Sequence, residues 1–182
     1  MFNFIKSNLP IEISEEYKIR LIESKDKENL FEIYSNEKVA KYISRNIHKD
    51  MSDTEMFMVT ISNRNRKGNN LYLGICENKT DKLIGVVRFL IKDDEETITI
   101  GYGLNEEYWG KGIISASIEA IIDIIKYSYN GIRLRATIRT DNYKSIKCIE
   151  KLGFQFHSKF IKADNGTEDT RQRERLLYFR NL

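Results

Sequence analysis

The feature that most constrains the fold is a change of hydrophobic period between residues 97 and 139. Residues 97–104 are typical of a β-strand. From 113 to 129 one helical face carries Ile114, Ile118, Ile121, Ile122 and Ile125, and from 132 to 139 apolar residues alternate with arginine and threonine. A helix that joins two strands of one sheet is a crossover, so these strands are predicted to run parallel.

The rest of the chain predicts further strands and helices around this unit. The polar segments 78–81 and 92–96 have hairpin length, which favours an antiparallel meander. The predicted strands are 18–22, 71–77, 83–91, 97–104, 132–139, 154–161 and 175–179. The predicted helices are one capped by Ser24, one beginning with a capping box at 52–55, 113–129, and one capped by Asp141 or Asn142 that stops at Gly153.

The same patterns assign side chains to the core or to solvent. Three residues of the second helix are expected to face inward: Met56, Val59 and Thr60. Tyr34, Tyr42 and Phe57 recur at helical spacing, which favours a role in the core over an acceptor pocket. Arginines at 171, 173 and 175 alternate with Gln172 and Glu174, and they are interpreted as a solvated strand or loop rather than a phosphate site.

Length and composition predict one ordinary domain spanning residues 1–182. The net charge of +3 is too even to indicate a nucleic-acid partner, and no apolar run approaches the roughly 20 residues that cross a membrane. With no secretory signal at its start, the chain is expected to be cytoplasmic. Cys76, Cys148, His48 and His157 lack metal-site spacing, so no metal is expected.

A glycine loop lies where the strand ending at Leu104 passes into the helix beginning at Ile113. The first N–H groups of a helix have no intrahelical partner, and the macrodipole adds partial positive charge, so this junction favours an anion such as phosphate. The segment is too short for a Walker A loop and lacks the G-x-G-x-x-G pattern. A tight turn explains the glycines of Gly110-Lys111-Gly112 about as well as a ligand does.

Two segments together resemble the motifs of one family. Tyr108-Trp109-Gly110-Lys111-Gly112 resembles the pyrophosphate loop of the GNAT acetyltransferases, Q/R-x-x-G-x-G/A, with Trp109 at its first position. About forty residues later, Asn142-Tyr143-Lys144-Ser145 and Glu150-Lys151-Leu152-Gly153-Phe154 resemble the N-x-x-S/A and E-K-L-G-F segment of that family. Within it, Arg20-Leu21 and the loop are most similar to the ribosomal-protein N-terminal acetyltransferases.

This resemblance implies an α+β fold and a site for acetyl-CoA. The fold would be a single GNAT-like domain with a mixed sheet of about seven strands, flanked by about four helices and splayed between the parallel strands that end near Leu104 and Thr140. The residues that would contact acetyl-CoA are Tyr102, Gly103 and Leu104 at the strand end, Gly110, Lys111, Gly112, Ile113, Ile114 and Ser115 at the pyrophosphate, and Asn142 at the pantetheine arm.

Some positions depart from the family pattern. Ile149 stands where many members carry a tyrosine as general acid, Thr99 where many carry glutamate, and Ile114 where glycine or alanine is usual. Ser145 is therefore the candidate for protonating the thiolate, and a first-turn serine bonded to its own backbone is the alternative. Glu77, Glu106 and Glu107 are available carboxylates, and a water chain is the alternative base.

The expected reaction is acetyl transfer to a primary amine by direct attack in a ternary complex, because neither cysteine has a partner that marks an acyl carrier. The acceptor is expected to be a protein N-terminus, such as that of a ribosomal protein. A small amine, such as a polyamine or an antibiotic, is the first alternative. A non-catalytic acetyl-CoA-binding module is the second. The sequence leaves the oligomeric state open, including a homodimer.

Overall fold

A mixed eight-stranded sheet runs through the centre of the molecule in the order β1-β2-β3-β4-β5-β6-β8-β7. The computed structural model describes residues 1–43, 46–91, 96–163 and 172–182. The strands are β1 Ile11–Glu12, β2 Tyr17–Arg20, β3 Asn70–Glu77, β4 Leu83–Ile91, β5 Thr97–Leu104, β6 Arg133–Arg139, β7 Gln155–Ala163 and β8 Gln172–Asn181. β5 and β6 are parallel, and the other paired strands are antiparallel.

Helices cover both faces of the sheet. They are α1 Phe2–Ser7, α2 Lys27–Ser35, α3 Glu37–Ala40, α4 Met51–Lys67, α5 Ile113–Ser128 and α6 Tyr143–Lys151. The isoleucines of α5 pack with Leu134, Ala136 and Ile138 of β6 into the larger core cluster. α2 and α4 contribute to a second cluster against β3 and β4. The core therefore consists of two layers, one on each side of the sheet.

The crossover prediction is confirmed, and so is the splay between the parallel strands. Three residue pairs join β5 to β6: Thr97 to Arg133, Ile98 to Leu134 and Thr99 to Arg135. β4 continues to pair with β5 as far as Leu104, and β8 pairs with the whole of β6. The carboxyl-terminal halves of β5 and β6 therefore diverge while each keeps its other neighbour.

The α+β architecture agrees with the prediction, but the structure adds elements near the amino terminus. The sheet has eight strands rather than about seven, and the described residues contain six α-helices rather than about four. The two-residue β1 and the short α1 are too brief to produce a periodic signal. The first predicted helix is interrupted at Asn36, whose side chain accepts from the N–H groups of Lys38 and Val39 and caps α3.

The prediction for the start and inner face of α4 was wrong. Its N-cap is Asp50, which accepts from the N–H groups of Ser52 and Asp53, whereas Ser52 lies inside the helix. The side chains buried from α4 are Thr54, Phe57 and Ile61. Of the residues expected inside, Met56 is 62% exposed and Val59 is 61% exposed. The packing of α4 against α2 and β3 selects the other stripe of this helix.

The interpretation of the arginine run as solvated was wrong for Arg175. Arg175 is buried within β8, opposite Arg139 of β6. Arg173 is partly buried on the same strand. Arg171 and most of the predicted 92–96 turn lie outside the described residues. The interpretation of Tyr34 and Phe57 as core aromatics is confirmed, because both belong to the second core cluster.

Candidate active site

The unpaired half of β5 presents backbone groups to the gap between β5 and β6. The N–H of Asn105 donates to Ile84 O at 2.8 Å, whereas Glu96 O accepts from Arg133 N–H at 2.8 Å. Backbone groups alternate in direction along a strand, so Tyr102 and Leu104 point toward the gap. Gly103 instead points its backbone groups toward β4. Within the predicted set, Gly103 therefore contributes space, and its neighbours contribute hydrogen-bonding groups.

The glycine loop brings the start of α5 to the mouth of this gap. Gly110 and Gly112 have φ values of 81° and 76°, which favour glycine, and no atom of the described part of the chain lies within 4 Å of a Cβ atom at either position. Gly112 is the N-cap of α5, where no side chain caps the helix and the first turn carries no acid. The open loop and uncapped N–H groups of residues 113–115 suit a phosphate.

Side chains of the loop fix its position relative to the strand end. Trp109 donates its indole N–H to Leu104 O at 2.8 Å. The ammonium of Lys111 lies 4.9 Å from the centre of the Tyr108 ring, and that of Lys144 lies 4.5 Å from the Trp109 ring. Ile113 and Ile114 are buried in the larger core cluster. Ile114 thus points away from the loop and does not crowd it.

The first turn of α6 lies beside Tyr102. Asn142 caps this helix, because its Oδ1 accepts from the N–H of Ser145 at 3.2 Å. The Tyr102 hydroxyl lies 3.5 Å from Ser145 O, and Ser115 Oγ lies 3.3 Å from Cys148 Sγ. Burial and the adjacent Cys148 raise the pKa of Tyr102 well above its ordinary value. The structure therefore brings the predicted residues of β5, α5 and α6 together.

A segment that the motifs did not identify bridges the two diverging strands. Glu106, just after β5, accepts from Asn36 Nδ2 at 3.2 Å and also binds Lys38. At the end of β6, Arg139 Nη1 donates to Lys41 O at 2.7 Å. Residues 36–42 therefore contact the ends of both diverging strands, β5 and β6, from the side of α2. Only the fold makes this visible, because the contacts join parts of the chain far apart in sequence.

The face of β5 turned away from α5 carries Gly101 and Gly103. A Cβ atom at Gly103 would lie 3.3 Å from Ile43 Cδ1 and 3.8 Å from the Tyr34 hydroxyl. The Arg88 guanidinium covers Gly101, with its Nε 3.6 Å from the corresponding position. The two glycines therefore leave space between the β5 backbone and these side chains. In the sequence, the glycines at positions 101 and 103 are the signal that indicates this space.

Two of the three candidate carboxylates, Glu77 and Glu106, hold other partners. Glu77 accepts from the Tyr108 hydroxyl at 2.7 Å and from Thr80, and these bonds, that of Thr80 first, lower the pKa of Glu77. Lys38 and then Asn36 lower the pKa of Glu106. Both groups are thus poor bases for an ammonium ion. Burial raises the pKa of the Cys76 thiol to about 12, which also disfavours that thiol as a nucleophile.

Comparison with known proteins places this geometry in a family. Residues 17–155 match the acetyltransferase (GNAT) domain. The chain belongs to the GNAT acetyltransferases. It is therefore an acetyl-CoA-dependent N-acetyltransferase, as its motifs implied. The open glycine loop, the uncapped start of α5 and the unpaired β5 backbone fit acetyl-CoA.

The similarity to individual acetyltransferases extends over 42% to 97% of the chain in the following three examples. An uncharacterized N-acetyltransferase of Bacillus licheniformis (p20) is 30% identical over 78% of this chain and 80% of its own. The ribosomal-protein-serine acetyltransferase of Escherichia coli is 39% identical over 42% of this chain and 43% of its own. A crystal structure of a microcin self-immunity acetyltransferase (MccE) with acetyl-CoA and AMP has the same fold: TM-score 0.83, 23% identity, 97% and 98% coverage.

The described residues contain neither a metal-binding cluster nor a membrane-spanning helix. Across 1–43, 46–91, 96–163 and 172–182, no group of three His, Cys, Asp or Glu side chains is placed to hold a metal ion. Within these ranges, no helix combines the length and the hydropathy that crossing a membrane requires. His48 contacts Thr54 through Nδ1 at 2.9 Å and stacks on Tyr34, which gives it a packing role.

Proposed function

We propose that this GNAT enzyme transfers the acetyl group directly to a primary amine in a ternary complex in the cytoplasm. The observation that carries the proposal is the unpaired backbone edge of β5 beside the uncapped start of α5. That arrangement offers one set of donors to a thioester and another to a pyrophosphate. We place the pyrophosphate at residues 110–115, the pantetheine arm at Asn142 and the acetyl group near Leu104.

Acetyl-CoA supplies an acetyl group activated as a thioester. The backbone edge at Tyr102 and Leu104 orients the carbonyl, and an N–H there stabilises negative charge on its oxygen. The amine nitrogen forms a bond to the acetyl carbon as the carbon–sulfur bond breaks. The nitrogen loses a proton to water, because the nearby carboxylates of Glu77 and Glu106 are held by other partners. The Ser145 hydroxyl donates a proton to the departing thiolate sulfur and is reprotonated by water, so the proton lost by the amine balances the one gained by sulfur.

Two acceptor classes agree with this chemistry, and the first is favoured. The Escherichia coli relative is named for acetylation of serine on a ribosomal protein, which supports a protein N-terminus as acceptor. The microcin enzyme with bound AMP is a reason to keep small amines, including polyamines and antibiotics, as the second class. Release of coenzyme A with any of these amines would exclude a non-catalytic role.

The cofactor site is tested by placing a carboxylate at the glycine loop. Gly112→Asp should lower acetyl-CoA affinity at least about tenfold, because the charge repels phosphate and the side chain blocks backbone approach. Isothermal titration calorimetry measures this affinity. The matched control is Gly131→Asp, since Gly131 has a φ of 77° and equally open surroundings but lies beyond α5. Equal affinities in wild type and folded Gly112→Asp would put the pyrophosphate elsewhere.

A further inference from the structure

The face of the sheet turned away from α5 is rich in arginine where β4, β5 and β6 meet. On β5, Ile98 and Ile100 pack with α5, so the alternation turns Thr99 and Gly101 to the other side. On β6, Leu134 and Ala136 face α5, and Arg135 shares the side of Thr99. We call Arg88, Thr99, Gly101 and Arg135 the arginine floor.

Register brings the members of the arginine floor together. Arg88 pairs with Gly101 across β4 and β5, and Thr99 pairs with Arg135 across β5 and β6. The two arginines therefore flank β5, which lies about 4.8 Å from each neighbouring strand. With glycine at position 101, the Arg88 guanidinium lies directly over the strand.

Three polar atoms of the arginine floor are buried and have no hydrogen-bond partner among the residues that the structure describes. They are Nε of Arg88, Oγ1 of Thr99 and Nε of Arg135. Buried polar groups in native proteins are nearly always satisfied, so an unsatisfied group calls for an explanation. Here three such atoms come from adjacent strands on one face. Two of them are donors and the third is a hydroxyl, which together form a set that suits an anion.

The charge around the arginine floor is not balanced by the strands that form it. Within the described residues, β4, β5 and β6 contain no aspartate or glutamate. Burial raises the pKa of Tyr72 on neighbouring β3, but the charges of Arg88 and Arg64 outweigh it, so the net pKa is lowered. Arg64 Nη1 donates to the Tyr72 hydroxyl at 2.8 Å. Arg88 and Arg64 therefore both place positive charge beside Tyr72 on this face.

Two members of the arginine floor, Thr99 and Gly101, lie on β5, the strand that also carries the proposed acetyl position at Leu104. Gly101 is three residues before Leu104 and Thr99 is five, which corresponds to about 10 and 17 Å along a strand. We propose that the floor binds a carboxylate or phosphate of the acceptor, about 10–17 Å from the amine that is acetylated. This inference rests on the proposed acetyl transfer and narrows its acceptor to anionic amines.

The test uses amines that differ in charge and length. Glycine, γ-aminobutyrate, ε-aminocaproate and ω-aminocaprylate are each assayed as the free acid and as the neutral amide, with coenzyme A release as the readout. Aminoalkyl phosphates of matching length form a second arm, and a peptide pair with aspartate or asparagine at the third position forms a third. We expect kcat/KM to favour the anionic member of a pair about tenfold, and most strongly at the longer separations.

Variants connect this preference to the arginine floor. Arg135→Gln should lower kcat/KM for the preferred anionic acceptor about tenfold, through KM, and leave its neutral amide unchanged, because a charge-assisted hydrogen bond is lost. Arg133→Gln is the matched control: Arg133 is on the same strand and face but is exposed over Phe179. Circular dichroism checks folding, and Arg88→Lys provides a second variant that keeps the charge while losing the planar fork.

Each outcome separates this inference from the function on which it rests. A charge preference lost in Arg135→Gln and kept in Arg133→Gln supports the arginine floor. Coenzyme A release with equal kcat/KM for acids and amides overturns the floor while acetyl transfer stands. A preference that Arg135→Gln retains also overturns it. Absence of release with every amine, despite acetyl-CoA binding, counts against the proposed function itself.

Discussion

Ser145 lies where β5 meets the first turn of α6, with its N–H on Asn142 and its carbonyl beside Tyr102. If its hydroxyl protonates the departing thiolate, Ser145→Ala should lower kcat about 100-fold and leave acetyl-CoA affinity unchanged, because general acid catalysis acts in the transition state. Steady-state kinetics and calorimetry measure the two effects. Ser158→Ala, on β7, is the control. Wild-type kcat in folded Ser145→Ala would leave Asn142 capping as the structural role of this turn.

Among single residues, the sequence predicted those whose role depends on their neighbours in the chain. It did not predict those whose role depends on contacts with distant parts of the chain. A cap at Asp141 or Asn142 and a turn at Gly112 were identifiable because neighbouring residues define such features, and the structure selects Asn142 as the cap. Arg88 and Arg135 were not, because they meet only through the order of strands in the sheet. The role of Glu106 as an anchor for Asn36 likewise depends on tertiary contact.

Among the helices and strands, α4 allows a test of which residue caps the start of a helix, Asp50 or Ser52. Asp50 accepts from two free N–H groups, and the bonds from Ser52, then Asp53, lower its pKa. Asp50→Ala should lower the Tm by about 2–4 °C, as expected for a lost cap in a chain of this size. Ser52→Ala, already within the helix, should change the Tm less. Thermal unfolding followed by circular dichroism distinguishes them, and a larger loss for Ser52→Ala would contradict the assigned start.

Elements with strong periodicity were predicted closely, and those with two competing apolar stripes were not. β4 and β5 have their predicted bounds, because alternation and short connections determine them. In α4, Met56 and Val59 form one stripe, while Phe57 and Ile61 form the buried one. Only the contact of α4 with α2 and β3 decides between them.

For the whole molecule, a charged network around Asp81 makes stability depend on pH. Its carboxylate lies 2.7 Å from Lys25 Nζ and 3.0 Å from both Lys18 Nζ and Arg20 Nε. Hydrogen bonds from Lys25, then from Lys18, hold the pKa of Asp81 far below its usual range. A lowered pKa contributes stability above the unfolded value of about 3.9, and that contribution is lost as pH falls through the folded value.

Asp81→Asn should therefore lower the Tm at pH 7 and flatten its decline below about pH 4, since the amide has no charge to lose. Asparagine tolerates the left-handed backbone at this position, where φ is 59°. Calorimetric scans across acidic pH measure the effect, with Asp123→Asn on the exposed side of α5 as control. An unchanged decline in Asp81→Asn would assign the acid sensitivity to other carboxylates.

β5 and β6 are joined by three residue pairs. Because this connection is short, the sheet consists of two plates, one of five strands (β1 to β5) and one of three (β6, β8 and β7). Beyond Thr99 the backbone ladder ends, and the plates are joined there by side chains and by residues 36–42. A molecule seated along Tyr102 and Leu104 would take the place of a missing strand and complete the ladder. Binding of acetyl-CoA would then also stabilise the fold, so the two plates would be held together most strongly in the complex of the enzyme with acetyl-CoA.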